Sequence, residues 1–270
     1  MNTQKQTTLT KDSPILQVKT VDIARSGTLV IQNASFTIQK GDYVGLVGPN
    51  GGGKTTLILA LLNFLPRTKG TIKLFGTNID KFSAWEKVAY ISQTATSFDC
   101  KFPLTVRELV ALGRIKKKNI ARRYTREDWQ AVDESISFMG LGEDANRRIG
   151  QLSGGQKQRV FVAKALARNP EIIFLDEPIV GVDATAQEKF FKKLSDLNTK
   201  RKTTILLVTH DLTSVFCRMS KVLCVNRQVE IAQISSDLDP NKLLKKAYGE
   251  HFHFVFHRHE CLGVFNGDNH

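Results

Sequence analysis

The fold is decided by the stretch Gly48-Pro49-Asn50-Gly51-Gly52-Gly53-Lys54-Thr55-Thr56, which follows the phosphate-binding pattern G-x-x-x-x-G-K-S/T. The apolar run Tyr43–Val47 before it predicts a buried strand, and residues 55–65 after it predict a helix that ends before a proline. A loop held between a strand and a helix N-terminus directs its backbone N–H groups at phosphate oxygens. Lys54 would reach the β- and γ-phosphates, and the Thr55 hydroxyl would bind Mg²⁺. This stretch therefore predicts a nucleoside triphosphate site.

A second glycine-containing segment, Leu152-Ser153-Gly154-Gly155-Gln156, precedes a predicted helix over residues 157–168. Ser153 and the amides of Gly154 and Gly155 form another anion-binding helix start. Since the chain already has one complete phosphate loop, this second start is expected to contact a nucleotide held by another copy of the chain. Together the two segments resemble the ATP-binding subunits of ABC transporters, whose signature is LSGGQ.

The resemblance implies an α/β fold of the P-loop NTPase type, with a small antiparallel β subdomain and an inserted α-helical subdomain. Alternating apolar residues at 16–40 and 70–78 independently predict a small antiparallel sheet. Residues from about 97 to 151 are predicted to be helical, as is the amphipathic segment 183–199. We predict an ABC ATPase domain over residues 15–235 and a C-terminal segment over residues 236–270.

Two acidic residues follow another apolar run. Residues 171–175 predict a buried parallel strand that ends in Asp176-Glu177, and parallel sheets bind ligands at the carboxyl ends of their strands. Asp176 suits the Mg²⁺ shell, usually through water. Glu177 suits the general base that orients and deprotonates the attacking water.

Two further candidate residues depend on the resemblance. Residues 203–209 predict a buried strand that ends at His210, where the family has a histidine that contacts the γ-phosphate. Gln93, at the end of an apolar run, matches the family glutamine that approaches Mg²⁺ and water. The resemblance thus implies ATP and Mg²⁺ as cofactors, with Thr55, Gln93 and Asp176 around the metal.

The sequence departs from the family where adenine is usually covered. An aromatic residue about two dozen positions before the phosphate loop ordinarily stacks on the base. Residues 21–27 contain no aromatic residue, so either Ile23 or Arg25 is left to cover the ring.

Composition limits the class of protein. Of 270 residues, 41% are hydrophobic and 24% are charged, which is ordinary for a globular domain. No apolar run approaches the roughly 20 residues that span a bilayer, so a transport channel would be another polypeptide. The four cysteines form no C-x-x-C pair, and we expect reduced cytosolic thiols.

The net charge of +13 raises nucleic-acid binding as a competing function. The basic clusters are scattered over different predicted elements, and few aromatic residues accompany them, so no nucleic-acid partner is expected. These clusters are Lys116-Lys117-Lys118, Arg122-Arg123, Arg147-Arg148 and Lys200-Arg201-Lys202. Attraction to an anionic membrane surface and simple solvation are the other readings of this charge.

A single compact cassette most resembles the separate ATPase subunit of a bacterial importer. Residues 102–106, 113–114, 179–183 and 248–251 are similar to the manganese, zinc and iron uptake branch. The resemblance implies a homodimer, a multi-spanning permease, an extracytoplasmic metal-binding protein, and a peripheral position on the cytoplasmic face of the inner membrane. The alternatives are a soluble ABC ATPase acting on a protein or nucleic-acid scaffold, or an importer subunit for another substrate such as a metal chelate.

The C-terminal segment is rich in histidine. Five of the six histidines lie at 251–270, including two H-x-H pairs (251/253 and 257/259) beside Glu260 and Cys261. Such a set is chemically suited to Zn²⁺, in which case it would be regulatory or buffering. A solvated polar tail remains the alternative.

Overall fold

The computed structural model describes residues 14–93, 103–115, 122–179, 183–250 and 252. The strands are β1 (Leu16–Arg25), β2 (Thr28–Ile38), β3 (Tyr43–Val47), β4 (Lys69–Leu74), β5 (Thr77–Asn78), β6 (Val88–Ile91), β7 (Ile172–Asp176), β8 (Thr204–Val208), β9 (Lys221–Asn226) and β10 (Gln228–Gln233). The helices are α1 (Lys54–Leu61), α2 (Val106–Ala111), α3 (Arg126–Phe138), α4 (Gly154–Leu166), α5 (Ala184–Arg201), α6 (Leu212–Arg218) and α7 (Pro240–Tyr248).

The larger sheet has six strands in the order β10-β9-β3-β8-β7-β6. Strands β9, β3, β8, β7 and β6 are parallel, and β10 pairs antiparallel with β9 at one edge. Every residue of β3, β7 and β8 is buried, which explains why these strands are continuous apolar runs rather than alternating ones. Since the strands are parallel, the chain segments that follow β3, β6, β7 and β8 meet at one edge.

The smaller sheet is antiparallel, with the order β2-β1-β4-β5, as the alternating pattern predicted. Its inner face shares a hydrophobic core with the larger sheet and α1, to which Ile23, Ile31 and Leu57 belong. The β1–β2 hairpin is therefore packed directly beside the helix that follows the phosphate loop.

Helices α2, α3 and α4 pack against one another in the helical subdomain. The described residues of 97–151 contain less helix than predicted. Within 97–151, the described residues hold only α2, α3 and short 3₁₀ turns. Thr125 begins α3 with a capping box, and Val132 and Ile136 are buried as expected. The Asp128 carboxylate accepts hydrogen bonds from Thr125 and from Arg114 Nε (2.8 Å).

These hydrogen bonds lower the pKa of Asp128 to about 2, the backbone bond from Thr125 contributing most. Folding depresses this pKa, so the stabilisation is present above the ordinary aspartate pKa and is lost as the pH falls through about 2. The ion pair Arg114–Asp128 anchors α3, and Arg114 also donates to the Ala167 carbonyl beyond α4 at 2.9 Å.

The end of α1 and the start of α4 differ from their predicted positions by three residues or more. Helix α1 ends at Leu61 instead of residue 65, because Asn63 adopts a left-handed conformation (φ 59°). The Asn63 N–H donates to the Ala60 carbonyl and the Phe64 N–H to the Leu59 carbonyl, which is the Schellman pattern of helix termination. Helix α4 begins at Gly154, three residues earlier than predicted, because Ser153 caps it. The predicted inner face of α5 is confirmed, with Phe190, Phe191, Leu194 and Leu197 buried.

The predicted C-terminal segment begins with a packed helix. Leu243 and Leu244 of α7 belong to the main core cluster, and the Asn226 side chain donates to the Ala247 carbonyl at 2.8 Å. The domain boundary at residues 235 and 236 stays a prediction. The histidines at 251, 253, 257, 259 and 270 lie outside the described residues.

The cysteines differ from the expectation of free thiols. Cys217 is disulfide-bonded, whereas Cys224 is free and buried. The absence of a C-x-x-C motif excludes only a disulfide between cysteines close in sequence, so the spacing of the cysteines could not predict this disulfide. None of the helices in the described part of the chain is long and apolar enough to cross a membrane.

Candidate active site

The phosphate loop runs from the end of β3 to the start of α1. Gly48 has φ +151°, and a Cβ there would lie 2.0 Å from the Val225 carbonyl oxygen, so only glycine fits against β9. Gly53 caps α1 with φ 101° and provides no side-chain cap, which leaves the first N–H groups of the helix for an anion. The loop therefore has the local geometry that its sequence predicted.

Lys54 lies under this loop. Its ammonium donates to the Gly48 and Pro49 carbonyl oxygens, both at 3.0 Å, and the residue is buried. Burial lowers the pKa of Lys54, and the nearby carboxylates of Glu177 and Asp176 oppose that shift. The lysine is thus held where its charge faces the same cleft as the two acidic residues.

Thr55 and Asp176 meet across the end of the sheet. The Thr55 hydroxyl donates to the Asp176 carboxylate at 3.4 Å, and Asp176 is almost fully buried. Burial raises the pKa of Asp176, while hydrogen bonds from Thr55 and Tyr90 lower it. Tyr90, on β6, was not predicted; burial first and then the Asp176 charge raise its pKa to about 12. It therefore stays a neutral hydrogen-bond donor to Asp176.

Glu177 is held between the two residues that the resemblance suggested. Its Oε2 accepts from Gln93 Nε2 at 3.1 Å, and its Oε1 lies 2.8 Å from His210 Nε2. Glu177 has φ 44°, an uncommon conformation for a residue other than glycine, which turns the chain sharply after β7. Three chain segments that follow β6, β7 and β8 thereby converge on one carboxylate. Gln93 lines the same cleft as Thr55, and its side chain hydrogen-bonds to Glu177.

Most of these groups line one cleft of about 530 Å³, a volume that falls within the range of small-molecule sites. The buried Asp176 is not among the residues that line it. The predicted residues on its wall are Asn50, Gly51, Gly53, Lys54, Thr55, Thr56, Gln93, Glu177 and His210. Two residues of the β1–β2 hairpin, Arg25 and Val30, complete the wall. Arg25 was one of the two candidates for covering adenine, whereas Val30 was not predicted.

The LSGGQ segment lies away from this cleft. Ser153 and Gly154 are exposed, and the described residues that line the cleft include none from 152–156. Ser153 and Gln156 form a reciprocal capping box at the start of α4, and the Gln156 amide donates to Asp144 at 2.8 Å. This segment is thus ordered and accessible, as a contact between two copies would require.

The C-terminal helix α7 also reaches the phosphate loop. The Gly48 N–H donates to the Tyr248 hydroxyl at 2.9 Å, and the Tyr248 ring stacks on Phe252 with centroids 4.6 Å apart. In the sequence, Tyr248 belongs to the segment 248–251 that is similar to the metal-uptake branch, and its contact with the phosphate loop was not predicted. A contact between residues 200 positions apart leaves no signal in local pattern or spacing.

A phosphate loop, a buried aspartate and a bridged glutamate at the edge of a mostly parallel sheet define a P-loop ATPase. The sequence pattern of the family described as "ABC transporter" matches residues 31–180, more than half of the chain. The chain therefore belongs to the ABC transporter family of ATP-binding proteins, and as such it binds and hydrolyses ATP.

Two curated relatives are similar over most of their length. The zinc uptake system ATP-binding protein ZurA of Listeria innocua is 39% identical, over 80% of this chain and 84% of the relative. The manganese transport system ATP-binding protein MntB of Halalkalibacterium halodurans is 34% identical, over 87% of this chain and 92% of the relative.

Solved structures share the fold. The cassette MJ0796, determined as a dimer in a post-hydrolysis state with ADP and phosphate, has a TM-score of 0.68 and 25% identity, over 82% of this chain and 99% of its own. CbiO1 of Clostridium perfringens, part of the ABC transporter complex CbiONQ, has a TM-score of 0.75, covering 87% of this chain and 94% of its own. At 23% identity, the likeness to CbiO1 concerns the fold alone.

Proposed function

We propose that this chain is the ATP-hydrolysing subunit of an importer that moves a divalent transition metal, zinc or manganese, through a separate permease. The observation that carries the hydrolytic role is the Glu177 carboxylate, bridged by Gln93 and His210 at the wall of the phosphate-loop cleft. The metal assignment is supported by relatives named for zinc and manganese uptake that align over 80% and 87% of the chain.

Glu177 is the proposed general base. Its carboxylate takes a proton from water while the water oxygen bonds to the γ-phosphorus, and the bond to the β–γ bridging oxygen breaks to release ADP. Gln93 and His210 fix both carboxylate oxygens, so the base is oriented before the substrate arrives. His210 lies close enough to the cleft to contact the γ-phosphate as well.

Lys54 and the loop amides are the proposed phosphate ligands. Lys54 and the uncapped start of α1 line the cleft, and Glu177 lines the same cleft. Thr56 and Asn50 belong to the same wall, whereas Gly48 and Gly52 pack behind it against Val225. The glycines therefore allow close approach, and the cationic groups offset the triphosphate charge.

The residues around Thr55 fit Mg²⁺. A hydroxyl and a buried carboxylate 3.4 Å apart are hard oxygen donors, and Mg²⁺ takes one or two such groups together with waters and substrate phosphates. Thr55 and Asp176 would hold the ion, with Gln93 near its water shell. When bound, Mg²⁺ would offset charge on the β- and γ-phosphates.

We further propose that two copies close head-to-tail on two ATP molecules. The exposed Ser153-Gly154-Gly155-Gln156 segment of each copy would dock on the phosphates in the cleft of the other copy, completing a site that one chain lacks. The dimer would sit on the cytoplasmic face of the membrane against a multi-spanning permease, supplied by an extracytoplasmic metal-binding protein. No nucleic-acid partner is proposed.

The variant Glu177→Gln tests the hydrolytic role. Glutamine keeps the shape and most of the hydrogen bonding but is not a base, so turnover should fall by roughly a hundredfold or more while ATP still binds. Steady-state ATP hydrolysis and nucleotide binding are measured on the same purified protein. Near-normal hydrolysis would remove Glu177 from the proposed role, and loss of ATP binding would place it among the binding residues.

A further inference from the structure

The cleft has an unusual wall where the base of a nucleotide would lie. None of the described residues that line it is phenylalanine, tyrosine or tryptophan. Its outer wall is instead formed by Arg25 and Val30, which belong to the β1–β2 hairpin. Arg25 ends β1 and pairs with Thr28 across a tight turn whose two central residues have positive φ (49° and 77°).

The hairpin is fixed against the phosphate loop. A Cβ on Gly53 would lie 3.0 Å from Val30 Cγ1 and 2.7 Å from Ile31 Cδ1, so the side chains of Val30 and Ile31 pack directly against the backbone of Gly53. Residues that point outward from the start of β2 and the end of β1 therefore extend the wall of the cleft beyond the loop. A base attached to phosphates in the loop would meet this extension.

Of the two candidates for covering the base, the structure excludes one. Ile23 has no exposed surface and belongs to the core between the two sheets, so it has no face to offer a ligand. Arg25 is exposed and lines the cleft. Among the described residues its guanidinium has no hydrogen-bond or ion-pair partner, in contrast to Lys54, which is held by two loop carbonyls.

We propose that the guanidinium of Arg25 stacks on one face of the purine ring, with Val30 in contact at its edge, and forms the base subsite. A guanidinium is planar, always charged and weakly hydrated, so it stacks on π-systems, whereas lysine offers only a point charge. A stacked plane does not read the hydrogen-bonding edge of a base. The subsite therefore accepts ATP and GTP with similar affinity. This proposal concerns nucleotide binding and is independent of the transported substrate.

The test compares ligands with and without a base. Binding of MgATP, MgGTP and magnesium tripolyphosphate is measured at fixed ionic strength for the wild type, Arg25→Ala, Arg25→Lys and Arg25→Tyr. Arg25→Ala should weaken both nucleotides by about two- to fivefold and leave tripolyphosphate unchanged. Arg25→Tyr should restore both nucleotides, and Arg25→Lys should restore neither fully. Lys19→Ala, which removes the same charge from an exposed position of β1 outside the cleft wall, should match the wild type.

Four results would overturn the proposal. Equal weakening of nucleotides and tripolyphosphate by Arg25→Ala would make Arg25 a phosphate contact. Unchanged nucleotide binding by Arg25→Ala would show that Arg25 does not stack on the base. An equal effect from Lys19→Ala would reduce the role of Arg25 to its charge. A wild-type preference for ATP over GTP of about tenfold or more would contradict recognition by stacking alone. None of these results would affect the assignment of Glu177 or Lys54.

Discussion

At the scale of single residues, each of the two acidic residues in the site is held by hydrogen bonds to two polar side chains. Glu177 is fixed by Gln93 and His210, while Asp176 is fixed by Thr55 and by Tyr90. Both carboxylates lie at the end of β7, yet their partners come from other parts of the chain. Thr55 lies at the start of α1, Tyr90 lies on β6, and Gln93 and His210 follow β6 and β8. The reactive geometry therefore comes from the parallel sheet, which brings several chain ends to one edge.

Tyr90→Phe removes one partner of Asp176 and should weaken the response to Mg²⁺. Loss of a residue that orients a metal ligand typically weakens metal binding by about 10- to 100-fold. The Mg²⁺ concentration that gives half-maximal hydrolysis should therefore rise at least severalfold. The measurement is ATPase rate against free Mg²⁺ at saturating ATP. Phe64→Leu is the control. The ring centroids of Phe64 and Tyr90 are 6.3 Å apart, so this substitution changes the packing of the Tyr90 ring but leaves its hydroxyl in place. Identical Mg²⁺ titrations for Tyr90→Phe and wild type would contradict this role.

Much of the site could be predicted at this scale, because its motifs are local. The phosphate loop requires glycines and a lysine at fixed spacing, and the Asp-Glu pair follows an apolar run. Tyr90 and Tyr248 could not be predicted, because their roles depend on which distant segment packs beside them. Arg25 was a candidate for covering the base, but the choice between it and Ile23 needed the structure. Gln93 and His210 were suggested only by the resemblance, and their shared contact with Glu177 needed the sheet order.

At the scale of elements, α7 is tied to the phosphate loop. The Tyr248 hydroxyl accepts the Gly48 N–H, and the Asn226 side chain binds the end of the same helix. The strands of the core were predicted correctly because they are continuous apolar runs, but β9, β10 and α7 were not assigned. Helix α1 was predicted too long because the termination at Asn63 depends on backbone conformation and not on the later proline.

Tyr248→Phe should weaken ATP binding without removing catalysis. It deletes the acceptor for the Gly48 N–H but keeps the ring that stacks on Phe252, and a hydrogen bond of this kind contributes about 0.5–1.5 kcal/mol. The KM for ATP should rise by about two- to tenfold, with kcat nearly unchanged. Tyr124→Phe, in the helical subdomain beside Trp129, is a matched control and should leave the KM at its wild-type value. An unaltered KM in Tyr248→Phe would show that α7 does not hold the loop.

At the scale of the whole molecule, the cleft and the LSGGQ segment are the two parts of the site that we propose two copies share. The cleft holds the phosphate loop and the carboxylates, whereas the Ser153 segment is exposed elsewhere on the surface. Two copies arranged head-to-tail would bring each half to its complement. This arrangement makes nucleotide binding a property of one chain and hydrolysis a property of two.

Ser153→Arg should separate these two properties. The added bulk and charge would block docking on the partner's nucleotide, so ATP should still bind to the monomer while dimer closure and hydrolysis fail. Mixing this variant with Lys54→Ala, which disables the cleft instead, should restore part of the activity through one intact composite site. ATP hydrolysis is measured over mixing ratios, with each variant alone as the control. Loss of ATP binding by isolated Ser153→Arg monomers would contradict a site shared between copies.

We propose that ATP hydrolysis in this cleft energises metal uptake. The direct test is ATP-dependent uptake of zinc and of manganese into vesicles that carry this chain with its permease and its metal-binding protein. Matched vesicles contain Glu177→Gln. We predict uptake of one of these ions with the wild type and its loss with Glu177→Gln. Equal uptake by both proteins, or uptake of neither ion by a complex that hydrolyses ATP normally, would contradict the account; uptake of a metal chelate by that complex would identify a different substrate.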